Sequence, residues 1–314
     1  MTSPALDELL LKAEQGDADA QYNLGFLYAN GEGVTLDYTE AANWYRKAAE
    51  QGDARAQLKL GVLYDHGMGM TTSNQVEAAK WYRKAAEQGN AEAQVRLGSL
   101  YTGGWQGLKE DYAEAIMWFR KSADQGCSGA LHCLGNLYYY GQGVTKDQPQ
   151  GIKLYHMAAE ASPEDAIATH QLSRVYFETQ DYKQSAEWLR KSADQEFVTA
   201  QYQLGDRYYS GHGVTLNYAE AAKWYRMAAE KGLPIAAYKL GLLYLDGQGV
   251  EQVYEDAYFW LLRSSKINHD EIKAAIPSLL DKAQLRLTPE QVSQVQKRAL
   301  EWKPTGGNGK RFFY

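Results

Sequence analysis

Residues 20–52 read AQYNLGFLYANGEGVTLDYTEAANWYRKAAEQG, two helical stripes joined by a glycine-marked turn. In the first half Ala20, Leu24, Leu27 and Tyr28 fall at i, i+4, i+7 and i+8, one face of a 3.6-residue period. Ala41, Trp44, Tyr45, Ala48 and Ala49 do the same in the second half. Between them, Gly31-Glu32-Gly33-Val34 makes the turn, and Asp37-x-x-Glu40 has the spacing of a capping box that starts the second helix. Gly52 closes the unit in the manner of a left-handed helix C-terminus.

Working outward, the unit recurs. Leu24-Gly25, Leu60-Gly61, Leu97-Gly98, Leu134-Gly135, Leu172-Ser173, Leu204-Gly205 and Leu240-Gly241 stand 36, 37, 37, 38, 32 and 36 residues apart. A tyrosine follows each glycine position by three: Tyr28, Tyr64, Tyr101, Tyr138, Tyr176, Tyr208 and Tyr244. The second half repeats around Trp81, Trp118, Trp188, Trp224 and Trp260, with Leu154 in that place in the fourth unit. Asn74-x-x-Glu77, Asp111-x-x-Glu114, Asp147-x-x-Gln150, Asp181-x-x-Gln184 and Asn217-x-x-Glu220 continue the capping boxes, and the seventh unit has Val253 instead. Gly89, Gly126 and Gly232 repeat the stop. A period in this range decides the architecture, and it overrides the two domains that 314 residues would otherwise suggest.

Gly25 and its equivalents lie mid-helix, where glycine costs about 1 kcal/mol against alanine. Close approach of the paired helix, carrying Trp44 and Tyr45, is the compensating reason. The Gly31-x-Gly33 turn, recurring at Gly141, Gly211 and Gly247, is not a phosphate cradle, because no strand precedes it and no Lys-Ser/Thr follows.

The motif Ala-Gln-x-x-Leu-Gly-x-x-Tyr-x-x-Gly-x-Gly-Val, then Asp-x-x-x-Ala, then Trp-Tyr-x-x-Ala-Ala-x-x-Gly, resembles the Sel-one-like repeat (SLR) family, a relative of the tetratricopeptide repeats. The resemblance covers residues 17 to about 266. It implies an all-α, right-handed superhelical solenoid of antiparallel helix pairs whose first helices line a concave groove, and a scaffold or adaptor role in protein complexes. It also implies a narrower possibility, since the family includes bacterial immunity proteins that neutralise toxins.

The expected organisation is an N-terminal capping helix in 1–16, repeats at 17–52, 53–89, 90–126, 127–161, 162–196, 197–232 and 233–266, capping helices in 267–303, and a flexible tail in 304–314. Polar caps of this kind close the open ends of a stack. The Arg311-Phe312-Phe313-Tyr314 ending reads as a frayed terminus, with a docking peptide as the alternative. Repeat five is irregular. From glycine position to second-helix small residue is 16 residues in repeat one (Gly25 to Ala41) but 12 from Ser173 to Ser185, so the turn is missing there. Just before it, Gly151 to Ser173 is 22 against 20 from Ala41 to Gly61, the extra pair falling around Ser162-Pro163-Glu164-Asp165. A change of pitch or curvature between repeats four and five is the expectation.

A net charge of -6 leaves no basic footprint for nucleic acid. Residues 1–16 hold only the short apolar run Leu9-Leu10-Leu11, which fits neither a secretory signal nor a membrane span, so a cytoplasmic protein is expected, or a periplasmic one if a signal peptide was removed. Cys127 and Cys133 lie six apart on one expected helix and read as free buried thiols. No nucleophile elbow, Walker loop, paired-histidine zinc motif or Cys-x-x-Cys appears, so no enzyme, cofactor or metal is expected. An enzyme or metal-binding protein built on the repeat frame, with His132, His156 and His170 as conceivable ligands, is the alternative.

If the units are tetratricopeptide-like, first-helix positions at -6, -3, +1, +4 and +5 from the glycine share the groove-lining face. In repeats one and two these include Tyr22, Phe26, Leu58 and Val62, mainly apolar. From repeat four to six they include His132, Asn136, Tyr139, Tyr140, His170, Arg174, Phe177, Tyr202, Asp206 and Tyr209, the aromatic and arginine mixture of interface hot spots. This second set is the expected partner-binding site. The competing reading is that its tyrosines pack against neighbouring repeats.

Overall fold

The computed structural model of the chain describes residues 4–69, 72–105, 107–163 and 165–305. All regular structure among them is helical. It falls into two compact units, Met1–Ser162 and Pro163–Tyr314, and the division coincides with the residue pair inserted before repeat five.

The first unit holds α1 (Pro4–Glu14), α2 (Ala18–Asn30), α3 (Tyr38–Glu50), α4 (Ala54–His66), α5 (Gln75–Glu87), α6 (Ala91–Gly103), α7 (Tyr112–Ala123), α8 (Ser128–Tyr140) and α9 (Gln148–Ala161). The second holds α10 (Ala166–Glu178), α11 (Tyr182–Asp194), α12 (Val198–Ser210), α13 (Tyr218–Glu230), α14 (Pro234–Asp246), α15 (Tyr254–Arg263), a short 3-10 turn at Ser264–Lys266, α16 (Asp270–Gln284) and α17 (Pro289–Glu301). Within each unit every helix packs on the next as far as α16, and α17 packs not on α16 but back on α15.

The mid-helix glycines are explained by one side chain of the paired helix, the residue after the tryptophan position and not the tryptophan. It is a ring at Gly25, Gly61, Gly98, Gly135 and Gly205, and Leu261 at Gly241. A Cβ on Gly25 would stand 2.7 Å from the Tyr45 ring, on Gly61 2.6 Å from Tyr82, on Gly98 2.6 Å from Phe119, and on Gly205 2.6 Å from Tyr225. Flat rings thus lie directly on the backbone of the first helix. The tryptophans turn toward the preceding elements. Trp44 clusters with Leu6, Ala13, Ala20 and Leu24, and Trp224 with Leu189, Ala193, Ala200 and Leu204. One residue of the Trp-Tyr pair therefore closes its own hairpin and the other joins hairpins together.

The capping boxes are half formed. Asp37 accepts from the N–H groups of Thr39 and Glu40, Asn74 from Glu77, Asp111 from Glu114, and Asp147 from Gln150. The reciprocal bond is absent because the cap residue's own N–H is already engaged: Asp37 N donates to the Tyr28 carbonyl, Asn74 N to Tyr64, Asp111 N to Tyr101, and Asn217 N to Tyr208. Only α17, entered through Thr288 and Gln291, closes both halves among the described residues. Val253 provides no side-chain cap.

The second glycine of each turn has a different job from the first. Gly31, Gly67, Gly141, Gly211 and Gly247 take left-handed φ at helix ends. Gly69, Gly213 and Gly249 meet the preceding hairpin: a Cβ there would collide with the backbone of Tyr38, Tyr182 and Tyr218 respectively. Gly33, with only α1 before it, has nothing within 4 Å.

Two side-chain seams tie hairpin to hairpin. The guanidinium of Arg46 donates to Tyr64 Oη at 2.7 Å, Arg83 to Tyr101 at 2.6 Å and Arg120 to Tyr138 at 2.9 Å; Arg190 and Arg226 reach Tyr208 and Tyr244 in the same way. In the first unit a buried glutamine relay runs beside them. Gln21 Nε2 donates to the Ala13 carbonyl while its Oε1 accepts from Gln51, and Gln57 and Gln94 repeat this with Gln88 and Gln125.

Helices pack at both ends of the described chain. Leu6 and Ala13 of α1 are buried, and Ala283, Val295 and Ala299 of α16 and α17 are buried in one cluster with Ala257 to Trp260. Pro304 and Thr305, assigned to a flexible tail by the sequence, are held: Pro304 packs beside Gly232, and the N–H and hydroxyl of Thr305 both donate to the Glu230 carbonyl. The Arg311-Phe312-Phe313-Tyr314 ending lies outside the described residues.

Candidate functional site

The ten residues singled out on the first helices divide between the two units, and each group is a separate arrangement. On α8, His132 and Asn136 are half-buried one turn apart, with Asn136 Nδ2 3.3 Å from His132 Nε2. Tyr155 of α9 donates its hydroxyl to Asn136 Oδ1 at 2.7 Å, so the amide is fixed from below by its own hairpin. Tyr140 is 42% exposed at the end of the helix.

Tyr139 is a correction. It is only 2% exposed and stacks edge-on against Tyr140 and beside Tyr155, in the core of its own hairpin. The cause is Gly151, standing where other second helices carry Ala41, Ala78, Ala115, Ala221 and Ala257. A Cβ there would lie 2.8 Å from the Tyr139 Cβ, so the missing methyl lets α8 settle onto α9 and takes Tyr139 inside.

On α10, His170 is half-buried beside Phe197 and its Nε2 lies 2.9 Å from Gln203 Oε1. Burial pushes its pKa below the ordinary histidine value, Arg174 adding to the effect and Gln203 opposing it, which favours the neutral ring. Arg174 is exposed and faces Glu178 at 3.7 Å. Phe177 is 38% exposed. On α12, Asp206 accepts the Tyr225 hydroxyl at 2.6 Å, and burial together with Asp206 holds the Tyr225 and Tyr202 phenols protonated well above their ordinary range. Tyr209 is 38% exposed and packs edge-on against Tyr218.

Four further residues complete the arrangement on the second unit. Arg207 lies over the Phe177 ring at 3.9 Å, Tyr182 packs against Phe177 at 5.3 Å and against His212 at 5.8 Å, and Lys239 stands 5.5 Å from the Tyr209 ring centre. Helical periodicity missed them because Arg207 is at +2 from Gly205, Lys239 is at -2 from Gly241, and Tyr182 starts a second helix. A signal for Tyr182 was present: Tyr38, Tyr112, Tyr182, Tyr218 and Tyr254 open five of the second helices.

Among the described residues no three His, Cys, Asp or Glu side chains are placed to hold a metal ion, and no helix is long and apolar enough to cross a membrane. Cys127 caps α8 and Cys133 lies within it, both as free thiols, with burial pushing Cys133 up to about 11. What the first-helix face of the second unit offers is half-exposed aromatic surface with cations laid over it.

The model of the Sel1 repeat matches the chain seven times, at 18–53, 54–90, 91–127, 129–163, 172–197, 198–233 and 234–269. A crystal structure of a protective antigen present in uropathogenic Escherichia coli strains, displaying an SLR fold, is 31% identical with a TM-score of 0.52, covering 97% of this chain and 73% of its own. The Sel1 repeat protein of Oxalobacter formigenes is 26% identical with a TM-score of 0.56, covering 94% of this chain and 90% of its own. The secretory immunoglobulin A-binding protein EsiB of Escherichia coli is 46% identical over 43 residues, which is 14% of this chain and 9% of that protein.

Proposed function

The chain belongs to the Sel1 repeat family, and from that premise we propose that it is a non-catalytic scaffold binding a protein partner along its first-helix face, the concave groove of such a solenoid. One observation carries the reading. The side chains that build the hairpins repeat from unit to unit, whereas the outward first-helix positions vary and leave Phe26, Tyr140, Phe177 and Tyr209 between 38% and 42% exposed. A constant frame under a changing aromatic surface is how repeat proteins address particular partners. The Escherichia coli relative named for binding secretory immunoglobulin A is a protein-binding protein by that name, which accords with this class of activity. Neutralisation of a toxin, as an immunity protein, is a narrower form of the same binding.

The test is affinity capture from the source cell's lysate with the full chain and with Tyr140→Ala, Phe177→Ala and Tyr209→Ala singly, each checked for folding by circular dichroism. A stoichiometric protein held by the parent chain and released by at least one folded variant is the expected result. Bound metal by elemental analysis with no protein partner would turn the reading toward the metal-binding alternative.

A further inference from the structure

We infer that the outward face of α10, α12 and α14 receives an acidic segment of a protein partner, its carboxylates pairing with Arg207 and Lys239 and its apolar side chains lying on Phe177 and Tyr209. The inference rests on the first-helix-face reading above and adds the chemistry of the partner.

Each of these three helices carries one cation and one carboxylate, but their fates differ. Glu178 faces Arg174 at 3.7 Å, Asp206 accepts the Tyr225 hydroxyl at 2.6 Å, and Asp246 accepts from Lys282 at 3.2 Å. All three carboxylates are thus engaged. Among the described residues Arg207 and Lys239 form no ion pair; each lies over an aromatic ring, Arg207 at 3.9 Å from Phe177 and Lys239 at 5.5 Å from Tyr209. The Arg207 Nε is buried with no acceptor, and burial moves that guanidinium below its ordinary value. A ring face attracts a cation but accepts none of the five N–H donors a guanidinium offers.

The first unit shows what is missing. Arg55 of α4 lies 4.5 Å over the Tyr22 ring of α2, the same cation-on-aromatic arrangement, and it is paired with both Asp19 and Asp53. There the chain provides its own counter-ions. On α12 the neighbouring Asp206 attracts Arg207 without pairing with it, and Lys239 on α14 has no ion pair among the described residues, so a carboxylate from outside would give both cations a direct counter-ion. The other titratable groups facing this area are occupied: His170 meets Gln203, and His212 Nδ1 lies 2.8 Å from Ser210 Oγ. Two cations on a chain of net charge -6 are too few to track a phosphate backbone, so a polypeptide carboxylate is the source the charges fit.

A random dodecapeptide library displayed on phage, panned against the full chain, tests this. Enriched peptides should carry Asp or Glu together with apolar residues, weaken as salt rises, and lose about tenfold or more in affinity for Arg207→Gln/Lys239→Gln, while Arg207→Lys retains part of it. Circular dichroism confirms that the variants fold. Enriched peptides that are neutral or basic, or that bind the double variant unchanged, overturn the acidic-segment assignment and leave protein binding standing. Failure to enrich any peptide counts against both.

Discussion

The hairpins of repeats one to three and the hairpin of repeat five are built on one plan but reach different levels of completion. In the former, Gln21, Gln57 and Gln94 are satisfied at both ends, and Gly52, Gly89 and Gly126 take the left-handed positions between helices. In repeat five Thr169 replaces the relay glutamine and bonds only within its own helix. Gln195 Oε1, and Gln201 Oε1 in the next hairpin, are buried without partners. Gln180 and Glu196 hold φ of 64°, Glu196 where Gly52, Gly89, Gly126 and Gly232 stand in other repeats. Even the glycine-on-ring contact is exchanged, Ser185 Oγ donating to the Ser173 carbonyl at 2.8 Å above Leu189. The lesson is that the repeat is a set of coupled choices. In repeat five the ring and the glycine beneath it are lost together, whereas in repeat seven Leu261 takes the ring's place and still stands 2.9 Å from where a Cβ on Gly241 would be. With the glutamine lost, Gln195 keeps only its Nε2 bond to the Pro163 carbonyl, its Oε1 buried without a partner.

The sharpest break of this comparison is Gly61→Leu. The Tyr82 ring occupies the space a side chain would need, so the substitution should lower stability by about 3 kcal/mol in urea melts. An unchanged midpoint would show that α4 and α5 can part without loss, and the coupling argument would go with it.

A second contrast separates backbone strain from contact between hairpins. Gly33 and Gly213 share positive φ, 72° and 78°, so alanine strains both by about 1 kcal/mol. Only Gly213 faces a neighbouring backbone, at Tyr182. Gly213→Ala should therefore destabilise by a further 1 kcal/mol or more, on the order of an overpacked core site. Equal losses at the two positions would mean that the second glycine serves φ alone.

Much of this frame could be read from the chain. The helix pairs, the caps at Asp37 and its equivalents, the glycine stops and the uncapped Val253 follow from spacing, because each is local and has one physical cause. The half-closed capping boxes could not be read, since the competing acceptor, a tyrosine carbonyl on the preceding helix, is a tertiary feature. Tyr139 was misplaced for a similar reason: periodicity gives an angle around the helix, but Gly151 on the facing helix decides whether that angle meets space or core. Arg207 and Lys239 were overlooked because their importance lies in what they lack.

Glycine should improve repeat five where it is missing. Glu196→Gly and Gln180→Gly relieve left-handed strain and should each stabilise by about 0.5–1 kcal/mol, the former reduced slightly by loss of the Lys231 pair at 3.0 Å. Thermal melts read this directly. A fall in midpoint for both variants would imply that these side chains make contacts outweighing their strain.

A paired exchange is the most informative about the relay. Lys231 stands where Gln51, Gln88 and Gln125 stand in the first three repeats, and its ammonium turns to the Glu196 carbonyl and carboxylate at 3.0 Å. Gln201 keeps its bond to the Ala193 carbonyl at 3.3 Å, but its Oε1 is left buried and unmatched. Lys231→Gln places an amide donor one residue before Gly232, the register in which Gln51 reaches Gln21 at 2.8 Å. The gain should be about 0.5–1 kcal/mol, the net worth of one neutral hydrogen bond, set against an exposed ion pair of small value. Gln88→Lys runs the same step backward, stranding Gln57 Oε1 at a cost of about 1–2 kcal/mol because a buried acceptor loses its donor. Opposite signs for the two substitutions establish the relay as a transferable element of the frame. If both destabilise, Lys231 is adapted to its own neighbourhood, and the glutamine seam belongs to the first unit alone.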